Sequence, residues 1–293
     1  MKKYNTILWA MFAMALWGSL FPMIKIGYEV FSVDTGFIPD IIFFAGLRFV
    51  ICGAGITGFC AAKKKAMKLN VKQEFLPLLC VGVFSVILHY IFTYTGLTMT
   101  ESGTGALLKM LGVFVFIPFS FLFFKEDNFA PKKLIGAVCG FAGIFVLNYT
   151  QSGFRMGFGE VLIILASVCT VISSVLSKNI VKKVDSFVMT GYSQLSGGMI
   201  LFLIGILLGG GVDTFSLKAF LVLLYICIAS TGGYCIWNYL IKNNDLSKLF
   251  IVKFCEPIFA AVFGAMLLGE NILNVRFLLA LVFTAVAVVV SGA

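Results

Sequence analysis

Apolar runs long enough to cross a bilayer follow one another from end to end of this 293-residue chain, with no polar stretch long enough to form a separate domain. A hydrocarbon core about 30 Å thick takes roughly 20 apolar residues per helix. With 60% hydrophobic and only 12% charged residues, and a mean hydropathy of +1.05, the bulk solvent for this chain is lipid. A span and its loop take roughly 25–30 residues, so the length predicts an all-α membrane protein of about ten transmembrane helices. They are expected at about 6–27, 39–62, 75–97, 102–124, 132–149, 158–178, 187–209, 217–240, 247–268 and 274–291. Met1-Lys2-Lys3 precedes an apolar run. However, Ile7 to Gly27 is span-length and no small-residue cleavage site follows, so no removable leader is expected.

The formal charge of +9 is a topology signal rather than a nucleic-acid signal, because the basic residues lie between spans. With the N-terminus inside, the inner side holds Lys2, Lys3, Lys63, Lys64, Lys65, Lys68, Lys72, Lys125, Lys132, Lys133, Lys178, Lys182, Lys183, Lys242 and Lys248. The outer side holds only Lys25, Arg155, Lys218 and Arg276. Both termini are therefore expected in the cytoplasm of a multi-pass cell-membrane protein. The eight cysteines all fall in apolar segments and none forms a CxxC pair, so they read as small packing residues.

The chain also looks like one unit written twice. Sliding residues 75–136 onto 219–280 pairs Tyr90 with Tyr234, Lys109 with Lys253, Phe119 with Phe263, Glu126 with Glu270 and Leu134 with Leu278. Glu101 falls on Asp245, both at tight turns. Five spans per half is an odd number, so the second unit (151–293) must run through the membrane inverted relative to the first (1–150). Inverted repeats are a transporter feature, with the substrate site at the repeat interface near the midplane.

Several local motifs point the same way. The first span, Ala15-Leu16-Trp17-Gly18-Ser19-Leu20-Phe21-Pro22-Met23-Ile24-Lys25, resembles the opening "WG…K" helix of EamA-type members of the drug/metabolite transporter superfamily. Leu47-Arg48-Phe49 resembles that family's "RF" signature, and Cys255-Glu256-Pro257 through Gly269-Glu270 its "P…GE" ninth helix and turn. Phe124-Lys125-Glu126 matches the same turn in the first half. The resemblance covers essentially the whole chain and implies a ten-helix secondary transporter. In one departure, Gly112-Val113 stands where the family usually has proline in the fourth span. That helix is expected to bend less, or to bend at glycine.

Charges inside lipid-length helices are expensive and usually mark a transport path or proton relay. Three stand out: Lys109, Lys253 and Glu256. Lys253 and Glu256 are three residues apart, which on one continuous helix lets them pair. Pro257 removes the donor for Lys253's carbonyl, tolerable at this depth only beside protein groups or a wet cavity. These three therefore read as cavity residues, with a self-neutralising buried ion pair as the plainer alternative. Counting Arg48, the central layer holds three positive charges and one negative, so the site should host an anion or keep a lysine neutral. Arg48 equally fits a structural tie to backbone carbonyls.

His89, the only histidine, is either a packing residue or, with Glu256, a proton-coupling candidate. Tyr90, Tyr234, Trp237, Asn238 and Trp17 read as pocket walls, although interface belts use the same residue types. Most of the 32 phenylalanines read as lipid-facing.

The function read from these residues is a secondary transporter, an exporter, moving a small polar metabolite, amino-acid-like, by alternating access, with proton coupling open. An anionic metabolite such as a nucleotide-linked compound is the alternative. A membrane-embedded enzyme or structural protein is the competing class. The chain has no GxxxxGK[ST], HExxH, GxSxG or Asp-rich motif, so neither enzyme activity nor a cofactor or metal is expected. The partners expected are a small-molecule substrate and the lipid bilayer, with no nucleic acid and a monomeric or homodimeric state.

Overall fold

The computed structural model describes residues 3–63, 71–97, 99, 108–124, 130–148, 156–269 and 275–291. Expectations that rest on Lys64, Lys65, Lys68, Glu101, Lys125, Glu126, Arg155 and Glu270, and on the start of the fourth span at 102–107, lie outside the described residues.

The described residues form helices and no strands. In chain order the membrane segments are Lys3–Val30, Ile38–Ala62, a third that is interrupted, a fourth around Leu111–Phe119, and Pro131–Asn148. Phe158–Ile180, Ser186–Leu207, Leu217–Asn243, an interrupted ninth and Val275–Ser291 follow. The third runs Val71–Gly82, then a π-helical stretch Val83–Leu88, then His89–Leu97. Among the described residues, seven helices are long and apolar enough to cross a membrane.

The packing carries a two-fold pseudo-symmetry. The first segment packs on the eighth and ninth, and the sixth packs on the third and fourth. The second packs on the seventh and the fifth on the tenth, pairs that map onto themselves when each segment is exchanged for the one five later. The fold is therefore two inverted five-helix repeats, as the odd span count requires.

Helices in lipid associate by close van der Waals packing, so small residues collect where backbones meet. On the second and seventh segments, Gly46 and Gly53 face Phe202 and Leu195, and Gly198 faces Phe49 and Val50. A Cβ added at Gly198 would stand 2.6 Å from the Val50 nitrogen, with no flexible side chain to yield. Gly198→Ala should destabilise the protein by on the order of 1–3 kcal/mol, read as a drop of several degrees in the unfolding temperature of detergent-purified protein.

Gly136 and Gly143 admit the tenth segment in the same way, and Gly140 admits the Phe254 ring. The phenylalanines divide rather than facing lipid as a class. Phe12 and Phe215 are exposed, whereas Phe31, Phe44, Phe49, Phe116, Phe250 and Phe254 are buried and fill the space between helices. All eight cysteines are free thiols.

Candidate functional site

The site is built by two helices that stop and restart inside the membrane. The ninth segment runs Leu246–Lys253, turns at Phe254 and Cys255, and resumes at Glu256–Leu268. Pro257, in the first turn of the second piece, cannot donate a backbone hydrogen bond. The Phe254 and Cys255 amides instead donate to Ile251 and Val252 at 3.2 and 3.0 Å, a tightened turn.

The fourth segment breaks at the repeat-equivalent position without a proline. Leu108 and Lys109 are helical, Met110 is a turn residue, and helix resumes at Leu111. The amide of Gly112 donates to Ser167 Oγ at 2.6 Å, drawing the chain onto the sixth segment. A Cβ at Gly112 would run into that hydroxyl and stand 2.9 Å from the Ser167 carbonyl carbon. The bend at glycine thus replaces the bend at proline.

Between the halves lies a cavity of about 430 Å³. Lys109, Lys253, Glu256, Trp17, His89, Tyr90, Tyr234, Trp237 and Asn238 all line it. At one end the lining residues Lys25, Thr35 and Leu97 are exposed, and the cavity opens there, beside the loop between the first two segments. At the other end Val81, Ser177, Asn238 and Lys253 are buried. Below them Ile180, Val181, Val184, Leu240, Ile241 and Leu246 belong to one apolar cluster that seals the protein. Lys178 belongs to this seal and not to a loop. It is 2% exposed, donates to the Asn244 carbonyl at 3.0 Å and lies 4.7 Å from the Phe124 ring centre.

The three central charges are arranged differently from the sequence expectation. An i, i+3 pair needs a continuous helix, and the break falls between Lys253 and Glu256. Glu256 instead faces the other half, with Oε1 3.7 Å from Lys109 Nζ. Lys253 Nζ sits over aromatic rings, 5.1 Å from Trp17, 5.5 Å from Trp237 and 5.9 Å from Phe250. Such contacts partly replace lost hydration of an ammonium. Lys109 also has an aromatic neighbour, Phe21, at 4.8 Å.

The rings form a continuous wall. Trp17 packs 5.6 Å from Trp237 and edge-on to Tyr234 at 5.3 Å, and Phe49 bridges the repeat mates Tyr90 and Tyr234 at 4.9 and 6.4 Å. Arg48 stands outside the cavity lining, one layer behind Tyr90, its guanidinium 4.4 Å from the Phe49 ring and 5.2 Å from the Tyr90 ring. Its Nε and Nη2 are buried without a hydrogen-bond partner, so the carbonyl tie read from sequence is not how it is held. His89 Nδ1 lies 3.1 Å from the Ala166 carbonyl and 3.2 Å from Thr170 Oγ1. A carbonyl only accepts, which places a proton on Nδ1. Asn238 donates to Thr190 Oγ1 at 2.9 Å, which fixes its amide against the seventh segment.

The cavity also has a hydroxyl wall that the sequence reading missed: Thr170, Ser173, Ser174 and Ser177 of the sixth segment, all lining it. The signal was available. Residues at i, i+3, i+4 and i+7 share one helix face, and a polar stripe on an otherwise apolar span has to face protein or water.

Comparison with known proteins adds a family. The model of the EamA-like transporter family matches residues 5–149 and again 157–292. An uncharacterized transporter of Archaeoglobus fulgidus is 26% identical over 88% of this chain and 87% of its own length. The uncharacterized inner membrane transporter YedA of Escherichia coli K12 is 26% identical, covering 97% of this chain and 90% of its own. An S-adenosylmethionine/S-adenosylhomocysteine transporter of Chlamydia trachomatis is 23% identical over 87% of this chain and 80% of its own. One solved crystal structure, at 19% identity, superposes with a TM-score of 0.78 over 98% of this chain and 96% of the other, a likeness of fold.

Proposed function

This chain belongs to the EamA-like transporter family, and from that premise we propose that it is a secondary transporter of a small, polar, amino-acid-like metabolite. One observation carries the reading: Lys109, Lys253 and Glu256, from two repeat-related broken helices, meet in one cavity between the halves. Broken helices at a midplane repeat interface are how secondary transporters present charge to a substrate. The two lysines offer charge to a carboxylate. Glu256 and the Tyr234 ring suit an ammonium, and the hydroxyl wall takes the remaining polar groups. The units 1–150 and 151–293 are the bodies that rock against each other to move the opening from one side to the other.

A nucleoside-linked amino acid is the second reading. The aromatic wall offers stacking faces, the hydroxyl wall suits a ribose, and one relative is named for carrying S-adenosylmethionine and S-adenosylhomocysteine.

A thermal-stability screen of purified protein against amino acids, their derivatives and nucleosides tests both, since ligands that bind the folded state raise its apparent stability. Amino-acid-like compounds should raise the unfolding temperature, and amides or esters of the same compounds should not. Stabilisation only by compounds without a carboxylate would overturn the reading.

Orientation is part of the proposal. Lysines at 63, 64, 65, 68 and 72 favour a cytoplasmic loop there, and with it an open end of the cavity on the outside. In a cysteine-free background, a single cysteine at 68 should react with an impermeant maleimide only from the cytoplasmic side. One at 35 should react from the outside of intact cells. The opposite pattern would invert the topology.

A further inference from the structure

The cavity holds repeat-related cations but not repeat-related anions. Lys109 and Lys253 are mates, while the mate of Glu256 is Gly112, which has no side chain to offer. One carboxylate is therefore shared by two equivalent lysines; in this structure it stands at ion-pair distance from Lys109 and acts on Lys253 only from farther off. Glu256 Oε1 lies 3.7 Å from Lys109 Nζ, and among the described residues no carboxylate oxygen stands at ion-pair distance from Lys253. The charge left over rests on Trp17 and Trp237.

In an inverted repeat, the two sides of the membrane are reached by exchanging the conformations of the two units, so what one mate experiences now the other experiences in the opposite state. Both lysines precede their helix break directly, Lys109 before Met110 and Lys253 before Phe254, so the hinge in each segment carries its lysine with it. Glu256 starts the helix beyond the ninth-segment hinge, between the two. A lysine in this setting without its counter-ion costs more than one that has it. Exchange of partner, with no net change in pairing, avoids that cost in both end states.

We infer that Glu256 is a shared counter-ion that pairs with Lys109 when the cavity opens beside the first loop and with Lys253 when it opens on the opposite face. The lysine it leaves is the one presented to the anionic group of the cargo: Lys253 in this state, Lys109 in the other. This rests on the transporter reading, but its test uses no substrate.

Two reporter cysteines in a cysteine-free background follow the state of detergent-purified protein. Leu97→Cys lines the cavity at its open end and is exposed there, and Val184→Cys lies in the apolar seal. The probe is a water-soluble maleimide. Lys109→Met removes the ion pair of the present state only, so labelling at 97 should fall and labelling at 184 should rise, each by at least ~3-fold. Lys253→Met removes the pair of the opposite state only and should shift both positions the other way or hold them at their starting values. In a Glu256→Gln background the two lysine substitutions should no longer differ. Gln replacements serve if the Met variants do not elute as folded monodisperse protein.

Shifts in the same direction for both lysine variants, no shift for Lys109→Met, or a difference that persists without the carboxylate would overturn the inference. Those outcomes would leave the proposed cargo untouched. Conversely, a failed ligand screen would leave the labelling pattern intact.

Discussion

Glu256→Gln should abolish gradient-driven accumulation while leaving exchange of substrate across the membrane largely intact. Glutamine keeps the size of the side chain and can still accept a hydrogen bond from Lys109, now 3.7 Å from the carboxylate, but it cannot gain or lose a proton. If Glu256 carries the coupled proton, the variant retains a pathway and loses only the means of driving it. The two lysines also lose the one carboxylate that, among the described residues, lines the cavity with them, so a fall in unfolding temperature should accompany the loss of coupling. The measurement is uptake into proteoliposomes of a compound returned by the stability screen, with and without an imposed pH gradient. Accumulation should drop to the no-gradient level, while counterflow into preloaded vesicles stays within about threefold of the unsubstituted protein, a change worth under 1 kcal/mol. Undiminished gradient-driven uptake would remove Glu256 as the proton carrier. His89, whose second ring nitrogen is not the one held by Ala166, would take its place as candidate.

Much of this architecture was legible before any coordinates. Lipid leaves a chain few options, and the span-length apolar runs, the doubled pattern and the intramembrane charges are all one-dimensional signals. The repeat was carried by a handful of residues, Lys109 with Lys253 and Tyr90 with Tyr234, and each of those four lines the cavity.

What sequence could not supply was the effect of a break. Lys253 and Glu256 look like neighbours on a helix face, and only the turn at Phe254 and Cys255 sends the carboxylate towards Lys109 instead. The fourth segment has no proline at its break to announce it, and the acceptor that makes the break possible, Ser167 Oγ, lies 55 residues away in the chain. Arg48 shows a third limit. A buried cation reads as a binding residue from its depth alone, and one intervening ring, Tyr90, places it behind the cavity wall. The hydroxyl stripe on the sixth segment went unread because serine and threonine carry no charge to draw attention within an apolar span.

Lys253→Met should be the most damaging substitution for transport, more so than loss of any one ring around it. In this state Lys253 is the cavity lysine with no carboxylate at ion-pair distance, and the aromatic faces of Trp17 and Trp237 hold its ammonium without neutralising it. A substrate carboxylate arriving there gains a full charge partner in a desolvated site. Removing one partner of a buried charge pair typically costs about 2–5 kcal/mol, which predicts a loss of roughly 30- to 5000-fold in the uptake rate at low substrate concentration.

Methionine keeps the length and the apolar contact with the rings, so stability should change much less than transport. Lys253→Arg separates charge from shape. Guanidinium restores the charge but is planar and larger, and should recover only part of the rate in a pocket bounded by two tryptophans. Trp237→Leu should cost less than Lys253→Met, because the cation–π contact it removes is worth on the order of 1–2 kcal/mol. Initial uptake rates for the three variants, normalised to protein incorporated in proteoliposomes, give the ranking directly. If Lys253→Met transported at the unsubstituted rate, the carboxylate would have to dock elsewhere, and the assignment of this cavity to an amino-acid-like cargo would fall with it.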